Sequence, residues 1–421
     1  MMFAGGLFAN GLSLNSVGTR AMAMGGAFVG LSDDLTAIYW NPAGLVNVKG
    51  FSFEVFGTDI IPIGSYKWNN SLFGINIDAD MNRNHYMSPN LFANYNMGDV
   101  SFGLGLYVPA GLGAEWNGAD LVQLSNGVAQ EWMSKIGVFN ISPSIAFKAS
   151  ETFSIGIAAN IYYGMFDMKR PTNLYDPTTG APAGSVQYDE SSTGLGYGVT
   201  IGALIKLHEK VTLGLTWRTK TNLTMSGTAK NPALGALGAP ESDFDRDVAW
   251  PMWLAAGLAF KPADNLTITL DAQLSKWSTS SDQFVTKYQN AIWKAATEPT
   301  GDNIFELNWK DATQWRIGAE YYLTDNFALR AGYYNDPAPA PDETVTILFP
   351  SSTNDVATIG MGYKNESFFV NVGLEYLFGQ PRKISDDLVD ITNPALGFKN
   401  EQPGTHSLDV FAFGIGFGMN L

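Results

Sequence analysis

Three histidines, His85, His208 and His406, and no cysteine are what a chain of 421 residues offers for nucleophilic or transition-metal chemistry. Each histidine falls at an expected loop, turn or strand end. None has a paired serine or the spacing of a metal site, so each reads as a solvated surface residue and a barrel lipase or metalloenzyme is not expected. No cofactor or metal is implied. The missing cysteines also remove disulfide frameworks and thiol catalysis. Arg170, in "GMFDMKRP", carries a different chemistry. Counting in twos from the outward-facing Ile155 and Ile157 turns Arg170 inward, where a guanidinium could pair with a carboxylate.

The elements that must position such a residue are strands. Hydrophobic residues make up 45% of the chain and charged residues 15%, so it folds, yet no run of 18 apolar residues supplies a transmembrane helix. Forty-five Gly and 54 aromatics (26 Phe, 17 Tyr and 11 Trp) suit an all-β protein. The net charge of −15, without any Lys/Arg cluster, argues against a nucleic-acid partner.

The closing "VFAFGIGFGMNL" sets Phe411, Phe413, Ile415, Phe417, Met419 and Leu421 opposite small residues. "NLTITLDAQLS" opposes leucines and Ile268 to Asp271 and Gln273, which suggests water on the inner face. Fourteen strands are expected, among them 50–62, 99–110, 152–169, 192–207, 211–228, 247–260 and 305–323. Short turns ("MGD", "SET", "HEK", "PADN", "TDN", "KNE") alternate with long connections at 171–191, 229–246, 279–304, 337–353 and 381–404. That asymmetry predicts a 14-stranded antiparallel transmembrane β-barrel over residues 50–421, with short turns on the periplasmic side. So wide a lumen needs an occupant. Residues 10–49 are too short for a domain and would serve as a helical hatch, with a turn opened by Ser32 or Asp33 as N-cap. Residues 1–9 read as a signal-peptide remnant or simply an apolar start.

"ANGLSLNS" followed by "NPAGL", and then "DVSFGLGLYVPAGLGAEW", "WPMWLAAGLAFKPADNLTITLDAQLSKWS" and "WKDATQWRIGAEYYLTDNFALRAGYYNDPAPAP" in order, resemble the FadL-type long-chain fatty acid and toluene/xylene transporters of Gram-negative outer membranes. The resemblance covers nearly the whole chain. It implies a hatch ending at Asn41, Pro42 and Ala43 beside an inward kink of the third strand near Pro109, Ala110 and Gly111. That kink would open a hole in the wall. The residues agree, because Pro109 cannot donate to a ladder and Gly111 tolerates unusual dihedrals, although the strand could instead end there.

The resemblance further implies uptake of a hydrophobic small molecule, a fatty acid or an aromatic hydrocarbon, with release sideways into the bilayer. Leu234, Leu237 and Phe244 in the apolar loop "KNPALGALGAPESDF" are candidates for capture. Arg170 aligns with the family's carboxylate-contacting arginine. Leu106, Val108, Leu112, Phe305 and Trp309 are candidates for the cavity lining. Two further polar contacts of the family align with Val108 and Phe305, which leaves a neutral ligand in play. A monomer in outer-membrane lipid and lipopolysaccharide is expected. A structural or surface-interaction barrel and an open porin stand as the other readings.

Overall fold

A computed structural model describes residues 11, 13–72, 74–176, 178–386 and 402–421. The expected signal remnant at 1–9 and the side chain of Leu112 lie outside the described residues. Fourteen antiparallel strands close into one barrel. They are β1 (Phe51–Asn70), β2 (Tyr86–Asn96), β3 (Val100–Trp116), β4 (Trp132–Ser150), β5 (Phe153–Tyr175), β6 (Pro182–His208), β7 in two pieces (Val211–Arg218 and Thr221–Lys230), β8 in two pieces (Glu241–Trp250 and Met252–Ala263), β9 (Leu266–Lys276), β10 (Ala312–Tyr322), β11 (Phe327–Asp336), β12 (Asn354–Lys364), β13 (Phe368–Gly379) and β14 (Gly404–Asn420). The last returns to the first through a ladder from Ser52↔Asn420 to Lys67↔Thr405, which closes the cylinder.

The period of two decides what each strand shows to each side. Phe413, Ile415 and Phe417 of β14 stand exposed on the outer wall while Ala412 is buried within. Phe102 and Leu104 of β3, Ile145 of β4 and Ile155 and Ile157 of β5 continue the same exposed apolar belt, which matches hydrocarbon rather than water.

Several boundaries differ from the periodic reading, each for a local reason. The run 305–323 is a barrel strand only from Ala312. Asn308, at φ 49, breaks it, and Phe305 lies in a short strand (Ile304–Glu306) paired with Gln283–Val285 apart from the barrel. The connections 171–191 and 229–246 are largely hairpins continued beyond the belt, because β5 runs to Tyr175 and β6 starts at Pro182, while β7 ends at Lys230 and β8 starts at Glu241. Pro251, without an N–H, separates the two pieces of β8. β1 continues to Asn70 and folds back through Ile75–Asp80. Far from being a polar outer loop, residues 337–353 turn inward and bury Val345, Ile347, Leu348 and Phe349.

Residues 13–48 lie inside the barrel, with α1 (Thr19–Ala23), α2 (Ala37–Trp40) and a 3-10 helix (Pro42–Asn47). Elements this short cannot hold themselves together in isolation. The inner wall supplies what they lack, both apolar contact and partners for backbone polar groups. Val17, Phe28, Ile38 and Trp40 share a core cluster with Phe56, Phe92, Tyr107 and Trp253 of the wall. Asp271 of β9 does not face water: its Oδ2 accepts from the N–H groups of Phe28 and Val29, both at 2.9 Å. Arg316 donates to the carbonyl of Gly25 at 2.8 Å and Gln273 to that of Gly26 at 3.0 Å. Arg20 grips Glu320 of β10 with two bonds of 2.8 Å and Asp33 with one of 2.6 Å, while Arg330 of β11 donates to the same Glu320 at 2.6 Å. Neither Ser32 nor Asp33 caps a helix. α2 begins after Thr36, and Ser32, at φ 31, bonds back to the carbonyl of Phe28 at 2.8 Å.

Candidate functional site

One interval of the wall is unpaired. The β2–β3 ladder runs from Asn96↔Ser101 to Leu91↔Leu106 and stops. β2 nevertheless continues to Tyr86 against β1, and β3 continues to Trp116 against β4. The cause lies in the residues expected to disturb β3. Its register with β4 passes from Tyr107↔Asn140 to Ala110↔Val138, so β3 spends one residue more than its partner around Val108 and Pro109. The inward set switches at that bulge. Ser101 and Tyr107 face the lumen before it, and Ala110, Ala114 and Trp116 after it. The strand neither ends at Pro109 nor stays in the wall plane; it bends into the lumen while still paired on one side.

Other groups take up the polar edges left by this bend. The Val108 N–H donates to Asn90 Oδ1 at 2.9 Å, and the Pro109 carbonyl accepts from Leu14 N at 3.0 Å, next to a bridge between Ser13 and Ala110. Above, the wall is sealed by a bridge between Met81 and Trp116 and by Asn82 N donating to the Glu115 carbonyl at 2.8 Å. Between seal and ladder lies a window. The Tyr86 ring stands in it against Gly113, where an added Cβ would lie 1.9 Å from the ring.

A cavity of about 410 Å³ occupies this place. At the window it is lined by Tyr86, Ser88, Val108 and Ala110. It passes Leu14 and Ser16 and reaches Asp336, Asn354 and Glu375 on the opposite inner wall. Outside the window stand the exposed Met87 and Phe139, which also line it.

Of the residues singled out in the sequence, Val108, Ala110 and Gly111 line the cavity. Pro109 adjoins it through its bond to Leu14. Leu106 is a correction: it lies before the bulge on the same outward set as Phe102 and Leu104, and is exposed on the wall. Phe305 and Trp309 belong to an aromatic cluster that fills the outer lumen, with Phe305 4.7 Å from Phe349 and Trp309 4.7 Å from Trp277. Phe244 is fully buried in that cluster against Tyr288, because β8 starts earlier than expected and takes it into the wall. It cannot belong to a capture surface. Leu237 is exposed beyond α3 (Pro232–Gly235), and Leu234 is partly buried.

Arg170 does face inward, but its guanidinium bonds both Asp302 oxygens at 3.3 Å and lies 4.5 Å over the Tyr188 ring. It is not among the residues lining the 410 Å³ cavity. Asn41, Pro42 and Ala43 do not sit beside the bend of β3. They pack on β5 and β6, where Gly156 and Gly202 leave room: a Cβ on Gly202 would lie 2.0 Å from Asn41 Oδ1, and one on Gly156 2.3 Å from the Pro42 carbonyl carbon. Asn41 Nδ2 donates to the carbonyls of Val29 (3.1 Å) and Ala203 (3.0 Å), while its Oδ1 accepts from Ala43 N (3.3 Å). The start of the inner segment, at Ser13 and Leu14, is what touches the bend. His406 is likewise not solvated; it is buried on Tyr66 and bonded to the Gln402 carbonyl at 2.7 Å.

A closed apolar-belted barrel with an occupied lumen and a break in its wall defines a class, that of plugged outer-membrane barrels. The chain belongs to the outer membrane protein transport protein family (OMPP1/FadL/TodX), whose sequence profile matches residues 1–417. It is 25% identical over 285 residues to the long-chain fatty acid transport protein of Escherichia coli (strain K12), a match covering 59% of this chain and 61% of that protein. The chain thus spans about three fifths of the length of that relative. The crystal structure of a Pseudomonas aeruginosa FadL homologue superposes with a TM-score of 0.80 at 17% identity, covering 97% of this chain and 99% of the other. The Pseudomonas putida toluene transporter TodX superposes at 0.73 and 17% identity, covering 99% and 100%. These likenesses show the fold.

Proposed function

We propose that the protein takes up hydrophobic small molecules across the outer membrane and releases them sideways, through the window between β2 and β3, into the bilayer. The single observation that carries this reading is that window: a paired wall interrupted between Leu91↔Leu106 and Met81–Trp116, with a cavity behind it and apolar Met87 and Phe139 outside. A sideways exit suits the cargo, since each methylene moved from an apolar site into water costs about 0.8 kcal/mol. The segment 13–48 acts as the hatch, closing the straight path and touching the window through Leu14. Capture begins at the outer rim, where Leu237 is exposed. The relatives' fatty acid and toluene cargoes are the candidates for this chain, and Arg170, held by Asp302, serves to anchor the outer loop rather than to receive a head group.

The test is uptake of radiolabelled toluene and oleate by cells carrying the wild type or a variant with residues 13–40 deleted. A deletion that alters uptake of neither compound would sink the proposal.

A further inference from the structure

The cavity is not uniformly apolar: Thr58, Ser88, His85 and Lys135 line it on the window side, while its carboxylates, Glu375 and Asp336, stand together at the opposite end. Glu375 Oε2 accepts from Ser16 at 3.0 Å, and the Glu375 carboxylate, 6% exposed, lines the cavity. Asp336 lines it too, accepting from Asn15 (2.8 Å), Gln314 (2.6 Å) and Asn354 (3.4 Å). Two buried atoms there have no hydrogen-bond partner, Ser351 Oγ and Asn354 Oδ1, on residues 6% and 4% exposed that also line the cavity. Buried polar atoms left unmet in a cavity wall mark a place where a ligand completes the bonding. Arg316, the cation on this side of the lumen, is already engaged: Nη1 donates to the Gly25 carbonyl at 2.8 Å, Nη2 to Gln314 at 2.7 Å, and the guanidinium lies 4.0 Å over Tyr334.

The end of the cavity is therefore rich in acceptors and negative charge. From it we infer a head-group subsite that takes a hydrophobic compound bearing an ammonium group, and that disfavours one bearing a carboxylate. The inference rests on reading the cavity as the ligand passage. An ammonium supplies three donors. One reaches Glu375, and the others meet Asn354 Oδ1 and Ser351 Oγ, while the apolar body extends past Leu14 and Val108 towards the window. A carboxylate in the same place would meet Glu375 and Asp336 as like charges.

Binding of three compounds with a common body, 2-phenylethylammonium, 3-phenylpropanoate and ethylbenzene, is measured calorimetrically on the purified full chain in detergent at neutral pH. The ammonium compound is expected to bind about tenfold more tightly than the carboxylate, the size of one charge-assisted contact. Glu375→Gln is expected to collapse that ratio towards one, and Ser351→Ala to lower it by a smaller factor. Folding of both variants is followed by heat-modifiable gel mobility, and the wild-type ratio needs no variant. Equal or tighter binding of the carboxylate to the wild type overturns the inference, as does a preference that survives both substitutions. Ethylbenzene binding without ammonium preference overturns the head-group subsite alone, whereas failure of all three to bind overturns the cavity reading with it.

Discussion

Single side chains decide what the lumen can recognise, and here partners matter more than position. The inward direction of Arg170 is legible by counting in twos, but its engagement is not, because Asp302 is 132 residues away in a loop without periodicity. A still longer separation, 359 residues, hides Glu375, which meets Ser16, while Asn90, whose amide oxygen takes the freed Val108 N–H, is only 18 residues away but on a different strand. His406 misleads for a related reason: a strand-end histidine reads as solvated until Tyr66 is brought over it by the β1–β14 ladder. Replacing Arg170 with Ala removes a loop anchor. Thermal unfolding should show a loss of about 1–3 kcal/mol, as for a buried polar group stripped of its partner. Oleate and toluene uptake should fall by the same factor. A selective loss of oleate uptake would restore a head-group role for Arg170.

At the scale of elements, the bend of β3 was written in "VPAG", while its outcome was not. Pro109 and Gly111 predict a failure of pairing, and pairing does fail, on the β2 side alone. The strand survives because the extra residue is absorbed as a bulge against β4, which no feature of β3 itself reveals. Leu106 and Val108 show the consequence: two residues apart in a regular strand they would share a face, yet one stands on the outer wall and the other in the cavity. The inward strap at 337–353 escaped periodic reading because it is neither strand nor helix, although its "VTILF" is too apolar for an exposed loop. Its Ile347 carbonyl accepts from Trp116 of β3 at 2.9 Å, so strap and bend are tied together. Deleting Pro109 removes the extra residue and should let β2 and β3 pair past Leu106. The barrel should still fold, as judged by heat-modifiable gel mobility, while uptake of toluene falls to that of cells lacking the protein. Unchanged uptake would mean that the window is not the exit.

For the whole molecule, the question is whether the lumen conducts water. A cylinder of 14 strands is wide enough to do so, and among the described residues the segment 13–48 and the aromatic cluster above it occupy that space. The segment is held by polar bonds to the wall, with Arg20 on Glu320 and Asp271 on two backbone N–H groups, as well as by apolar contact. Such bonds orient strictly and fail sharply. Substituting Arg20 with Ala leaves Glu320 to Arg330 alone, takes the guanidinium from Asp33 and leaves Asp34 with Thr36, a loss of about 3–5 kcal/mol, as for a buried ion pair broken by removal of one partner. The wild type reconstituted in liposomes should give no swelling with small sugars, because the segment 13–48 and the outer cluster occupy the lumen. Arg20→Ala should give measurable swelling, and deletion of residues 13–40 more. Swelling by the wild type at the rate of an open porin would show that the lumen is a water path, and the sideways route through β2 and β3 would then lose its physical reason, since apolar cargo would have no barrier forcing it out through the wall.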